Sequence, residues 1–491
     1  MNKTESAVVS EAVSAYVSGE KIRAAEVCDR GIRDYPELAP LLHLRGVLHF
    51  EGSDLRSAVT FLERAVASKG DVAEYYNSLG IVFNRLGENE KSLAAYQAAM
   101  GICPNFAEAS NNLGDLLAGE GKLGEAETYF RRALSFKRDY TDALYNLGNV
   151  LKRLGRLQEA LDSFETCLRL DPSYGESAWN RGLTNLLMGN FAKGWPDYER
   201  RFSQVGFPPR RTNIKSPLWE GESLMDRRIL VYCEQGYGDI IQFMRFLPLL
   251  VRRGADVTLE CPPRLKCLLS NLNFPLRTVT TSAEAGAVDY HLPLLSLAMR
   301  CDENLDVLED ESPYLSIPDS ICERVNARFS DRLTKGRMRV GIQWQGDPGY
   351  YADKERSIPL NCWEALLSIK DVEWISLQKG DGVDELEGYP SVLNFGKELD
   401  EGSDGFMETA ALMQELDLII SSDTAVVHLA GALGRPAWVL LGEHPDWRWG
   451  LQGTTSPWYK SLALFRQADR GDWEGLMSVV RAALSNTLEA R

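Results

Sequence analysis

The chain lacks most features that would place a protein in a compartment or a chemistry at first sight. No apolar run approaches the length of about 18 residues that marks a membrane-spanning helix. The opening MNKTESAVVSEAVSAY has neither a basic start nor a long apolar core. No leader and no transmembrane segment is therefore predicted. Cysteine is sparse and scattered, nine in 491 residues, with no Cys-x-x-Cys pair. Those spacings argue against a structural zinc site. They predict reduced thiols, no bound metal and a cytoplasmic location. A basic excess is also missing: 70 acidic residues stand against 54 basic ones, a net charge of −16. General nucleic-acid binding needs the opposite balance. The hydrophobic share of 44% is that of an ordinary soluble protein. The length suggests about three domains of roughly 150 residues.

What is present is periodic. Gly46, Gly80, Gly114, Gly148 and Gly182 recur every 34 residues, and Ala12 extends the series back by one unit. A second series, Gly87, Gly121, Gly155 and Gly189, lies seven residues behind the first, with Gly19 at the start. Tyr96, Phe130, Phe164 and Tyr198 keep the same step, as do Ala24, Ala58, Ala126 and Ala160. This is the tetratricopeptide pattern. Small residues let two helices cross closely, and the second glycine ends one helix so that the next folds back. The aromatic residue is expected between neighbouring repeats. Six repeats and twelve helices over 5–202 predict an α superhelix. Such a surface binds an extended protein segment or serves self-association.

The pattern changes after Phe202. Residues 203–226, with Pro208, Pro209 and Pro217 and no periodicity, predict a linker over the surface. Strands alternating with helices follow. They divide into an N-terminal Rossmann-like domain at 227–335 and a C-terminal one at 336–491. Ligands of such sheets bind beyond the carboxyl ends of the strands. The informative loops are those after Tyr232, Trp344, Leu377 and Ser421.

The first of these reads CEQGYGDIIQF. Gln235, Gly236 and Gly238 form the turn, and Asp239 follows. A dinucleotide fingerprint is disfavoured, because Ile241 stands where the third glycine belongs and Asp239 puts negative charge at the helix start. Asp239 is either a general base facing a cleft or a helix N-cap. In SSDTAVVHLAGALGRP, a helix begins just after a strand. Its free N–H groups suit a diphosphate, with Asp423, Thr424, Ala425 and His428 at hand. Asp423 reads equally as a cap, and His428 as a core residue. Gln378 and Lys379 follow another strand, and Arg356, Ser357 and Lys354 sit in the loop after Trp344. Lys379 would neutralise a phosphate or lie solvated, and Lys354, Arg356 and Ser357 would face the leaving diphosphate. Asp446-Trp-Arg-Trp449 would line a sugar or base pocket, or pack between domains.

The stretches GWPDYERRF, CEQGYGDIIQF, RSIPL, SLQKG, SSDTAVVHLAGALGRP, DWRWGL and SPWYKSLALFRQ together resemble a bacterial family in which tetratricopeptide repeats are fused to a GT-B glycosyltransferase. The catalytic half is also similar to heptosyltransferases. The resemblance implies an inverting, metal-independent transfer from a nucleotide sugar, with no cofactor. Asp239 takes the base role, and Asp423, Thr424 and His428 take the donor diphosphate. It also implies a protein acceptor on the repeats, flagellin in some members. The loop Gly346-Asp-Pro-Gly-Tyr350-Tyr-Ala352-Asp353 departs from the family's Gly-Asn-Pro-x-His-x-Asn-Asp at Asp347, Tyr350 and Ala352. Two rival readings remain: a catalytically silent repeat scaffold with a nucleotide-sugar-binding half, and a lipopolysaccharide glycosyltransferase. Glu234 and Asp353 stand in reserve as bases.

Overall fold

The computed structural model describes residues 3–301, 313–350, 352–396, 398–402 and 405–491. The chain forms two compact units, Met1–Arg181 and Gly182–Arg491.

The first unit is built from helical hairpins. Its helices are α1 Lys3–Val17, α2 Lys21–Asp34, α3 Ala39–Glu51, α4 Leu55–Ser68, α5 Ala73–Leu86, α6 Asn89–Ile102, α7 Ala107–Gly119, α8 Leu123–Phe136, α9 Thr141–Arg153 and α10 Leu157–Leu170. The twelve predicted helices are completed by α11 Gly175–Leu187 and α12 Phe191–Tyr198. The division between the units falls inside α11. In each of four hairpins of the first unit one residue reverses the chain in the left-handed region. Gly19, Gly87, Gly121 and Gly155 have φ of 79°, 76°, 80° and 72°. The equivalent position in the second hairpin is Ser53, at φ 64°.

The first glycine of each repeat makes room for a ring. A Cβ on Gly80, Gly114 or Gly148 would lie 2.5, 2.7 or 2.5 Å from the rings of Tyr96, Phe130 and Phe164. Each aromatic thus rests on the glycine of its own hairpin, and all three belong to one apolar cluster that runs from α5 to α10. In the last hairpin Gly182 faces Asp197 instead. Tyr198 there turns edge-on to Trp195 and Trp447.

The second unit holds two all-parallel sheets. Strands β1 Arg228–Tyr232, β2 Asp256–Glu260, β3 Arg277–Val279 and β4 Tyr290–Pro293 pair in the order β3-β2-β1-β4. Strands β5 Met338–Gln343, β6 Val372–Ser376, β7 Val392–Asn394, β8 Leu418–Ser422, β9 Ala437–Leu441 and β10 Leu462–Arg466 pair in the order β10-β9-β8-β5-β6-β7. In both sheets the first strand is flanked by the second and the fourth, so the order reverses there. That crevice is where doubly wound sheets bind ligands. β3, β7 and β10 were not legible as strands. β3 and β7 have three residues each, too few for a period to show.

The segment 203–226 is irregular but is not a free surface linker. Trp219 donates its backbone N–H to the His291 carbonyl, and His291 donates to Pro217. The segment thereby extends the first sheet beside β4. Trp219 and Leu224 are buried. Arg211 pairs with Glu260 at 2.7 Å. The GWPDYERRF stretch docks through one buried cation. Arg201 donates to Glu199 at 2.6 Å, Glu234 at 2.9 Å and Ser296 at 2.7 Å.

Candidate active site at the carboxyl ends of the two sheets

The turn after β1 leads into α13 Tyr237–Phe243, whose N-cap is Gly236. Asp239 therefore stands three residues inside the cap and is not the cap. Its carboxylate reaches back toward the Gly236 N–H, as a capping-box acid does. Asp239 Oδ1 also accepts from Arg448 Nη2 at 2.5 Å. Arg448 comes from the loop after β9, so the ion pair joins the two sheets. About a quarter of the Asp239 side chain stays exposed, against 9% for Arg448. Burial pushes the Asp239 carboxyl above the ordinary Asp value, and Arg448 opposes that rise.

Arg448 is the hub of the site. Its Nη1 donates to Asp446 at 2.7 Å and its Nε to Gln242 Oε1 at 2.6 Å, while its guanidinium lies 4.3 Å from the Trp447 ring centroid. The sequence marked this stretch as flat groups without singling out the cation. A signal was there: an arginine between two tryptophans, preceded by an acid.

The helix Ala425–Ala432 after β8 is capped by Thr424, so Asp423 precedes the cap rather than providing it. The Thr424 hydroxyl donates to Gln343 Oε1 at 2.8 Å. Arg356 reaches the same place, with Nη1 donating to the Asp423 carbonyl at 3.0 Å and Nε to Asp353 at 3.0 Å. Burial and the neighbouring Asp446 raise the Asp423 carboxyl above its ordinary value, while the Trp449 indole, Arg356 and Arg448 pull it back. His428 is buried, stacked on Trp449 at 5.4 Å, with Nδ1 3.2 Å from the Tyr459 hydroxyl. Burial and the nearby arginines hold its pKa well below the usual value, so the ring is neutral at pH 7.

The two halves meet closely. A Cβ on Gly238 would lie 3.1 Å from the His428 ring and 3.4 Å from the Ala425 Cα. Glycine is needed there for approach. Beside this contact the Tyr237 ring stands edge-on to Phe406 at 5.7 Å. Phe406 takes φ 68°, a strained setting for a residue with a side chain.

The remaining candidates are committed elsewhere. Lys379 donates to the Leu399 carbonyl at 2.6 Å and Asp400 at 2.7 Å. Gln378 accepts from the N–H groups of Trp344 and Gln345 and donates to the Gln345 and Asp381 carbonyls. It clamps the loop after β5 to the loop after β6. Ser357 accepts from Gly346 N–H and donates to Asp353. Gln235 keeps a buried Nε2 without a partner. Both reserve bases are occupied. Glu234 binds Arg201 and the Leu294 and Leu295 N–H groups, and burial pushes it up to about 7 against the pull of Arg201. Asp353 binds Arg356 and Ser357. Arg356 lies 4.7 Å from the ring centroid of Tyr350, one of the departures in the loop after β5. Tyr351 of that loop lies outside the described residues. Among the described residues no group of three or more His, Cys, Asp or Glu is placed to hold a metal, and no helix is long and apolar enough to cross a membrane.

Comparison with known proteins places both halves. Tetratricopeptide repeat families match residues 43–105, 107–140 and 141–174. Glycosyltransferase family 9 (heptosyltransferase) matches residues 402–473, which carry Asp423, His428 and Arg448. Protein FlbA of Caulobacter vibrioides is 30% identical over 322 residues, covering 61% of this chain and 53% of FlbA. The chain thus spans about half the length of that relative. Similar solved structures include PilW, a type IV pilus biogenesis factor, at 19% identity, covering 41% of this chain and 93% of that one, TM-score 0.38. A thermophilic tetratricopeptide protein of Thermus thermophilus is 20% identical, covering 37% of this chain and 99% of that one, TM-score 0.33. The chain joins tetratricopeptide repeats to a glycosyltransferase family 9 (heptosyltransferase) domain.

Proposed function

We propose that the second unit is a GT-B glycosyltransferase that moves a sugar from a nucleotide-activated donor, with inversion, to an acceptor hydroxyl on a protein held by the repeats. The observation that carries this reading is the meeting of Asp239 with Arg448 at the carboxyl ends of two parallel sheets. Asp239 takes the proton of the acceptor hydroxyl. The hydroxyl oxygen forms its bond to the anomeric carbon as the bond from that carbon to the diphosphate oxygen breaks, and the diphosphate leaves with the electron pair. Arg356 and the N–H groups at the start of the Ala425 helix lie where fixed positive charge would stabilise that leaving group. No metal or cofactor enters this scheme, and the site of action is the cytoplasm. Flagellin is the acceptor that the family resemblance suggests.

Gly238 lies against Ala425 and His428, so a donor diphosphate needs these loops to part. The same contact favours a second reading, a silent scaffold that never turns over. Incubating the full chain with a panel of sugar nucleotides and measuring released nucleoside diphosphate decides between them. Release that falls in Asp239→Asn supports transfer. No release from any donor, with or without an acceptor lysate, leaves the scaffold.

A further inference from the structure

The repeat unit has its own recognition feature, distinct from the sheets. The first helices of successive hairpins, α1, α3, α5, α7 and α9, touch one another in sequence. They are tied by hydrogen bonds whose partners are always 35 residues apart. His43 Nε2 lies 2.9 Å from the Ser78 hydroxyl, Asn112 Nδ2 donates to Asn77 at 3.0 Å, and Asn146 Nδ2 donates to Asn111 at 3.1 Å. The result is one continuous face of first helices.

A cavity of about 470 Å³ opens on this face between α5, α7 and α9. Asn84, Asn89, Asp115, Asn146, Asn149 and Arg153 supply its polar lining, with Asn89 donating to Glu120, and Phe130 contributes an apolar part. Arg153 Nη1 donates to the Ala118 carbonyl, and Asn146 is engaged in the ladder. Neither the side chain of Asn84, nor that of Asp115, nor that of Asn149 makes a hydrogen bond or ion pair with the described residues. Two half-buried carboxamides and one exposed carboxylate, none of them bonded to the described protein groups, therefore share a single cavity.

The sequence shows that this polarity is local. The residue after the first small residue of each repeat is Val13, Val47, Ile81, Asp115, Asn149 and Leu183 in turn. Four of the six are apolar. The two polar ones are the two that line the cavity. Position and period alone would put an aliphatic residue at both places.

We infer that this cavity seats a lysine or arginine side chain of an extended segment of the acceptor protein. Asp115 meets the cation, and the Asn84 and Asn149 carboxamides satisfy the remaining donors. Asp115 forms no ion pair among the described residues, although Arg153 lines the same cavity with its guanidinium bonded to the Ala118 carbonyl, and the cavity accommodates one long side chain. The continuous face around it, with half-buried Val47 and Ile81, meets apolar residues of the same segment. The chain's net charge of −16 attracts a basic partner. This inference rests on the reading that the repeats hold the acceptor, and it names what they select.

The test pans a random twelve-residue displayed peptide library on the full chain. A recovered peptide, fluorescein-labelled, is then titrated by anisotropy with each basic residue in turn replaced by glutamine. The expected result is recovered peptides that carry a basic residue whose replacement weakens binding by roughly tenfold. In Asp115→Asn the lysine and glutamine peptides should bind alike. Asn149→Leu, the aliphatic choice of the other repeats, should also weaken binding while the helical content stays unchanged. Recovery of no peptide, of peptides without a basic residue, or of peptides insensitive to Asp115→Asn overturns the inference. Spermidine competing as well as the peptide would show a bare cation site and overturn the extended-segment part. Nucleotide-sugar turnover reads the other proposal independently. Turnover without peptide selection sinks this inference alone, and peptide selection without turnover sinks only the transfer.

Discussion

Asp239 and Arg448 lie 209 residues apart in sequence and 2.5 Å apart in space. One follows the first strand of the four-stranded sheet and the other the fifth strand of the six-stranded sheet. Arg448 also grips Asp446 and Gln242, so the pair is the centre of a network between the two sheets.

Asp239→Asn should lower transfer by roughly 10²–10⁴-fold, the usual contribution of a general base, with an unchanged circular-dichroism spectrum. Arg448→Gln removes the cation that counters the raised pKa of Asp239. A base acts only when ionised, so activity lies above its pKa. The acidic limb of the rate profile should therefore move to higher pH in Arg448→Gln. A pH–rate series on both proteins measures this, and an unmoved limb removes Asp239 as the titrating base.

Asp423 provides a stability test. Its carboxyl is raised in the folded protein by burial and by Asp446. The folded state then binds the proton more tightly than the unfolded chain does. This group's contribution is therefore most favourable at low pH and falls as pH rises from the ordinary Asp range through the folded value. Asp423→Asn should flatten that fall and raise the urea midpoint at neutral pH relative to the parent, with the gap closing in acid. Urea titrations at several pH values would show the trend or its absence.

Gly114→Ala places a methyl 2.7 Å from the Phe130 ring. Overpacking of this kind costs about 1–3 kcal/mol. Phe130→Leu added to Gly114→Ala should recover part of the loss, because the two side chains contest one space. Denaturant titration of the single and double variants gives the coupling; purely additive losses would contradict the packing account.

Ser53 occupies the left-handed position that glycine fills in its neighbours, at φ 64°. Ser53→Gly should stabilise the repeat unit by about 0.5–1 kcal/mol, the relief of left-handed strain less the added freedom of the unfolded chain. A lower melting temperature in this variant would show that Ser53 is held by contacts worth more than the strain.

The sequence by itself determined the repeat architecture, the turn after β1 and the helix after β8. Each is a local matter: a 34-residue period reads directly as hairpins, and a glycine after a strand reads as a turn. It also named Asp239, Asp423 and His428, which the fold brings into one region around Arg448 and Trp449. It did not show which neighbours hold Lys379, Gln378 and Ser357, because residue type says what a side chain offers and not which neighbour takes the offer. Asp400, the backbone at 344–345 and Asp353 are those neighbours. Tertiary structure alone decided that Arg448 is the partner of Asp239. It also decided that Gly238 covers Ala425 and that residues 217–219 pair with His291 at the edge of the first sheet. These are contacts between segments far apart in the chain. No periodicity or motif encodes them; they exist only once the two sheets pack their loops together.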